Sequence, residues 1–267
     1  MHAPDPVLPP HRLARAVSSR VIQLIGNLVK AVCTVHVRLA PRARFTLPRV
    51  ARPLWRSTRP RRIPRIVWQT NYTDQVTLAV YVNWLWNRLM APTHEHRVML
   101  DDDCLAYIRA HFPPEVVQRY ERINIGAGRA DLWRVLALLH EGGLYLDIDA
   151  AFDWPADGLL ANDPPELLIR NKDGTMTNYF MACAPGNAVM RDILERILAN
   201  IDENTLTSVY DLTGPTVLDA VADRPGVTID ASRGISRQAQ FTSKRLQYPD
   251  RLRGYWVEEE KRSRAID

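Results

Sequence analysis

Asp147 and Asp149 stand one residue apart at the end of a short apolar run, Leu144-Tyr145-Leu146. Alternate side chains of a strand share a face, so the spacing predicts two carboxylates aimed at one spot. Two anions held together repel each other unless a cation lies near them. All-oxygen ligands, with no Cys or His pair close by, favour Mg²⁺ or Mn²⁺ over zinc. Asp131 and Arg134 lie three residues apart on a predicted helix and share its face, where the arginine can meet a phosphate or sugar hydroxyl and the aspartate can accept from hydroxyls. An Asp-x-Asp taken alone is usually a turn or a solvated strand end. The whole string from Gly128 to Asp149 is more specific.

The elements that must position these groups are legible around them. Leu132, Val135, Leu136 and Leu139 recur at helical spacing, predicting a helix over 129–140 that opens from a flexible Gly126-Ala127-Gly128. Gly142-Gly143 ends it, because glycine adopts the backbone conformation that helix termini need. Leu144 to Leu146 then form a buried strand that Asp147-Ile148-Asp149 closes. Further strands are predicted at Ile66–Trp68, Val98–Leu100, Leu167–Ile169 and Asn178–Met181. Helices are predicted at Thr77–Arg88, Glu115–Arg122, Val189–Asn200 and Thr216–Val221, with Asp101-Asp102-Asp103 capping another that runs to His111. Strands alternating with helices give an α/β domain with a mostly parallel central sheet and a ligand at the strands' carboxyl ends.

Arg129-Ala130-Asp131-Leu132-Trp133-Arg134 followed by Gly142-Gly143-Leu144-Tyr145-Leu146-Asp147-Ile148-Asp149 resembles the DXD sugar-binding signature of family 32 glycosyltransferases. The likeness extends to Ile63–Thr70, Val98–Asp102, Asn178–Met181 and Thr213–Pro215, covering roughly residues 63 to 220. It implies a GT-A-type domain that moves a sugar from a UDP- or GDP-linked donor, with retention of configuration, to a glycan, lipid-linked or polysaccharide acceptor. It further implies Mn²⁺ or Mg²⁺ held by Asp149 and Asp147, a nucleotide contacted around Trp68, Gln69 and Thr70, and donor hydroxyls held by Asp131, Tyr145 and Asp147. Arg134 becomes a second cation for the diphosphate, Asn178 faces the donor sugar, and Thr213 and Gly214 border the site. One of the three acids at 101–103 is a sugar-pocket candidate. From its own chemistry Trp68 fits a core role better than a stack on the base. The family's late His is missing, since none follows His140. Trp256 in Arg253-Gly254-Tyr255-Trp256 is the candidate lid, and Asp250, Glu258 or a water is left as third metal ligand.

Composition bounds the rest. At 267 residues and 46% hydrophobic, the chain holds one sizeable domain, expected over 63–267, plus an accessory arm over 1–62. Its net charge of +5 hides an asymmetry: residues 1–73 carry 14 Lys and Arg against one Asp, leaving 21 basic and 29 acidic residues beyond. Residues 1–11 are Pro-rich, and apolar positions from Leu13 to Leu39 then step by three and four as in an amphipathic helix. Gln23, Asn27, Lys30 and Thr34 interrupt that run, so a helix lying on a membrane or packed on the domain is expected rather than a span. The nine Arg from Pro41 to Arg65 suit an anionic lipid surface better than nucleic acid. Cys33, Cys104 and Cys183 are scattered, which suggests neither a disulfide framework nor a zinc cluster. With no clear secretory signal, a cytoplasmic protein at the inner face of a membrane is expected. Two rival readings are a Mg²⁺-dependent phosphohydrolase, whose motif wants Thr or Val where Ala151 stands, and a non-catalytic membrane- or polymer-binding module on a decayed transferase fold.

Overall fold

The computed structural model describes residues 12–248, 260 and 263–266. Helix α1 (Arg12–Leu39) leads into the short strands β1 (Phe45–Thr46) and β2 (Val50–Ala51). Next come β3 (Ile66–Thr70), β4 (Gln75–Val76), α2 (Leu78–Met90) and β5 (Glu95–Met99). Three helices follow, α3 (Asp101–His111), α4 (Pro114–Arg122) and α5 (Gly126–Glu141), and then β6 (Gly143–Leu146) and β7 (Ala150–Phe152). A one-turn helix, α6 (Ala156–Leu159), precedes the hairpin of β8 (Glu166–Arg170) and β9 (Met176–Cys183). The remainder is α7 (Ala188–Glu203), α8 (Val209–Leu212), α9 (Pro215–Ala222), β10 (Ile229–Ala231), β11 (Ser236–Gln238) and α10 (Lys244–Gln247).

Seven strands form the central sheet in the order β10-β8-β9-β6-β3-β5-β2. β3 is parallel to both β5 and β6, and β8 to β10. β9 runs the other way between β6 and β8, and β2 runs the other way at the β5 edge. The α/β fold is therefore as expected and in keeping with a GT-A-type arrangement, but the sheet is mixed. The reversal of β9 follows from chain length. Only residues 171–175 separate it from β8, with Asn171 N–H bonded to Thr175 O at 2.8 Å, and a parallel return needs a dozen residues or more.

Period-two alternation sorts the strand residues onto two cores. Trp68, Tyr145 and Met181 face the side covered by α5 and α7, with Leu132, Leu136 and Ile197. Val67, Leu144, Leu146 and Phe180 face the other side, with Phe152 and Leu167. β6 is buried throughout, as its unbroken apolar run requires.

One boundary differs from expectation. α5 begins at Gly126, so the glycines read as a flexible approach form its first turn. A Cβ on Gly128 would lie 2.9 Å from Ile123 and 3.4 Å from the Thr213 hydroxyl, and its absence lets that turn seat against α8. Residues 12–62 are joined to the domain, since Val50–Ala51 pairs with β5 and α1 packs on it. Ile22 packs with Ala151 and Phe241, and Cys33 with Ala79 and Leu246. Ser19 donates to the buried Asp153 carboxylate at 2.7 Å, and Arg237 reaches the same carboxylate at 3.3 Å. All three cysteines are buried and unbridged.

Candidate active site

The cleft of about 720 Å³ at the carboxyl ends of β3 and β6 collects most of the groups named from sequence. Thr70, Asp131, Arg134, Tyr145, Asp147, Asp149, Asn178 and Gly214 all line it, as does Asp101 from the acidic cap of α3. Both carboxylates do face one space, though not by strand alternation. β6 stops at Leu146, and residues 147–150 form a turn closed by Ala150 N–H to Asp147 O at 2.9 Å. Ile148 between them is 6% exposed and anchors in a small core with Val80, Trp84 and Val98. The turn is thus pinned by its apolar residue while the flanking acids remain on the cleft.

Behind the carboxylates lies a buried polar wall. Arg134 on α5 pairs with Asp131 at 2.8 Å and with Asp147 at 3.4 Å, donates to Asn178 O at 2.6 Å, and lies 4.3 Å over the Tyr145 ring. Asp131 also accepts from the Asn178 amide at 2.8 Å and the Thr213 hydroxyl at 3.1 Å. The Tyr145 hydroxyl donates to Asp147 at 3.0 Å and lies 2.9 Å from the Thr70 hydroxyl. Against the opposing effect of burial, Tyr145 and the Asp147, Asp131 and Asp149 carboxylates hold the Arg134 guanidinium more firmly protonated than usual, while burial raises the Asp131 pKa to about 7 against its donors. Burial, the dominant cause, raises the Tyr145 phenol well above its ordinary range, so it stays a neutral donor.

Asp149 stands apart. No side chain among the described residues donates to it, and burial followed by the charge of Asp147 raises its pKa to about 7. The wall thus presents Asp131, Asp147 and Asp149 with Arg134 as the one cation bonded to them among the described residues. That imbalance suits a divalent cation, with Asp149 and Asp147 as its holders. Among the described residues no group of three His, Cys, Asp or Glu side chains forms a ready-made cage, so the remaining ligands would come from elsewhere in the cleft, from substrate or from water.

Several expectations need correction. Trp68 does not face the cleft: it is 1% exposed, edge-on to Trp133, with its indole N–H donated to Gly142 O at 2.9 Å. Gln69 points to the opposite side of β3, is fully buried, and reaches the site only through Asp147 O at 3.5 Å. Thr213 touches Asp131 from behind and does not line the cleft. Arg134 and Tyr145 line it, but their polar atoms hold Asp131 and Asp147. Trp256, Asp250, Glu258 and the segment 253–255 lie outside the described residues.

Other residues escaped the sequence reading. Gln238 donates to Asp147 Oδ2 at 2.9 Å, placed there because β11 pairs with β7, the strand leaving the carboxylates. Next to it Ala239 has φ 54°, a conformation non-glycine residues rarely adopt, with its N–H on Asp149 O at 3.0 Å. Tyr72 and Tyr248 line the cleft with ring centroids 5.9 Å apart. No periodicity marks any of these; only their long-range pairing brings them in.

Comparison with known proteins covers the same stretch of chain. Residues 69–165 match the family described as "Glycosyltransferase sugar-binding region containing DXD motif". The chain is 26% identical over 195 residues to the initiation-specific alpha-1,6-mannosyltransferase of Schizosaccharomyces pombe, covering 60% of this chain and 48% of that protein. It is also 26% identical over 166 residues to inositol phosphoceramide mannosyltransferase 3 of the same yeast, covering 60% and 44%. The chain therefore spans about half the length of the curated relatives it matches. Among solved structures, the PaToxG glycosyltransferase aligns with a TM-score of 0.47 and 14% identity over 77% of this chain and 78% of that one.

Proposed function

We propose that this chain, whose residues 69–165 match the DXD sugar-binding region, is a glycosyltransferase that moves a hexosyl group from a nucleoside diphosphate to a glycan, lipid-linked or polysaccharide acceptor, with retention of configuration. The catalytic unit is residues 63–267 and residues 1–62 are accessory. The observation that carries this is the convergence of Asp147 and Asp149 on one cleft large enough for a nucleotide sugar, against a wall that fixes Asp147 from three sides. A divalent cation held there, Mn²⁺ or Mg²⁺, would neutralise the charge that collects on the departing diphosphate.

The chain's own groups prepare that position. Tyr145, Arg134 and Gln238 lock the Asp147 carboxylate, so no reorganisation is needed when the donor arrives. Asp149, in its ionised form, would hold the cation beside Asp147. Asn178, Asp101 and Tyr210, facing the same space, offer hydrogen-bonding groups to sugar hydroxyls, which is how such sites discriminate one sugar from another. Thr70 and Tyr72, at the carboxyl end of β3, form the nucleotide side of the cleft. No separate general base stands out among the described residues, and the leaving phosphate is assigned as acceptor of the acceptor hydroxyl's proton. Attachment to an anionic membrane surface through the arm is part of this reading.

Incubation of the purified protein with UDP- and GDP-linked sugars and Mn²⁺, mannose donors first because two relatives are named mannosyltransferases, is expected to release nucleotide with one donor strongly preferred. Release from none of them, or turnover of simple phosphomonoesters instead, would overturn the proposal.

A further inference from the structure

Helix α1 has two faces, and only one of them is used by the fold. Its inner face carries Ile22 and Cys33, which are 3% and 1% exposed against the domain. The opposite face presents Val21, Leu24, Leu28, Val32, Val35 and Leu39 in steps of three and four, with Leu24 at 71%, Leu28 at 68% and Leu39 at 81% exposure. From Val17 to Leu39 this stripe is about 33 Å long at the rise of an α-helix. By length and apolarity alone the same segment passes as a membrane span.

The inner face excludes that orientation. Ser19 and Ser18 bond Asp153, Gln240 donates to Ile22 O at 2.7 Å, and Arg15 pairs with Asp230 at 2.9 Å. Crossing a bilayer would strip these bonds and bring the buried Asp153 contacts out of the fold, whereas lying in the headgroup plane keeps every one of them. Charge complementarity identifies what the stripe meets. No acidic residue occurs between Asp5 and Asp74. Arg20 and Arg38 flank the stripe on one side and Arg42 follows its end. None of these three, nor Arg56, has a side-chain partner within the described residues, although other arm arginines pair with acids of the domain. Long arginines beside an apolar ridge place their stems with it and their heads among phosphates. A second copy of the chain on the same ridge would bring these cations face to face.

We infer that α1 docks the protein on an anionic phospholipid bilayer as an in-plane helix, its Leu24–Leu28 ridge sunk into the headgroup boundary while its inner face stays bonded to the domain. This rests on the membrane attachment named above, and its test reads binding rather than sugar transfer, so each can fail without the other. The full chain is sedimented with phosphatidylcholine vesicles, with and without phosphatidylserine, alongside Leu24→Glu/Leu28→Glu. Because both positions are exposed, the variant is expected to melt as wild type does and to keep its nucleotide-sugar turnover in solution. Binding is expected to need phosphatidylserine, to be released by high salt, and to fall at least about tenfold in the variant. Absence of binding to either vesicle, salt-resistant binding to both that the variant retains, or a soluble dimer that the variant dissolves would each overturn the inference.

Discussion

At the scale of residues, the acidic groups divide by what they touch. Asp147 is locked by Tyr145, Arg134 and Gln238, whereas Asp149 has no such donors. Replacing either by Asn is expected to lower kcat about 10²- to 10³-fold with little change in melting temperature, since the amide keeps the shape and removes the charge. Steady-state kinetics and thermal melting on the same samples check this, and near-wild-type turnover in both variants would contradict it. Arg134 has the opposite character. It is the counterion of a carboxylate that is itself buried, so Arg134→Met is expected to cost about 3–5 kcal/mol in urea denaturation by leaving Asp131 unpaired. A variant as stable as wild type would show that the pair is not what holds the wall together.

At the scale of elements, the site is a meeting of β3, β6, α5, β9 and β11. The Gln238→Ala change belongs here, because β11 brings that amide from 91 residues away to Asp147. The residue is exposed, so stability is expected to hold, while kcat/KM falls roughly tenfold, the scale of a lost hydrogen bond to a charged group. An unchanged kcat/KM would remove Gln238 from the site. What could be read from sequence follows the same division. α5, the Gly142 break and β6 were legible because helical spacing, a positive-φ glycine at 69° and an apolar run are local signals. Asp131 and Arg134 inherited their placement from α5, whereas Asp149 owes its own to the turn that Ile148 pins. Trp68 fills core, the reading the residues favoured, and not the base contact the resemblance offered, since alternation does not tell which side of a strand holds the cleft. Gln238, Tyr72 and Tyr248 were missed because they reach the cleft through tertiary pairing that no short window contains.

At the scale of the whole molecule, the basic arm and the acidic remainder complement each other. Arg15 pairs with Asp230, Arg49 with Asp103, and Arg61 with Asp157, so part of the arm's charge is spent inside the fold and part is left facing outward. α1 also covers Ala151 and Phe241, on the segments that carry Asp149 and Gln238. A chain beginning at residue 40 is therefore expected to melt several degrees lower and to aggregate more readily, with donor turnover reduced as well because the wall loses its brace. Scanning calorimetry and light scattering check this, and a truncated chain that melts like the full one would show α1 to be an independent appendage.

The central claim is that Asp147 and Asp149 together grip a divalent cation, and a Mn²⁺ titration followed by electron paramagnetic resonance tests it most directly. With the Asp149 pKa raised to about 7, its proton competes with the metal below that pH, so affinity is predicted to weaken by up to about tenfold per unit as pH falls from 7 towards 5, and to level off above 8. Asp149→Asn is predicted to bind weakly at every pH, with the slope gone. Wild-type affinity for Mn²⁺ in a chain carrying both Asp147→Asn and Asp149→Asn would contradict the account.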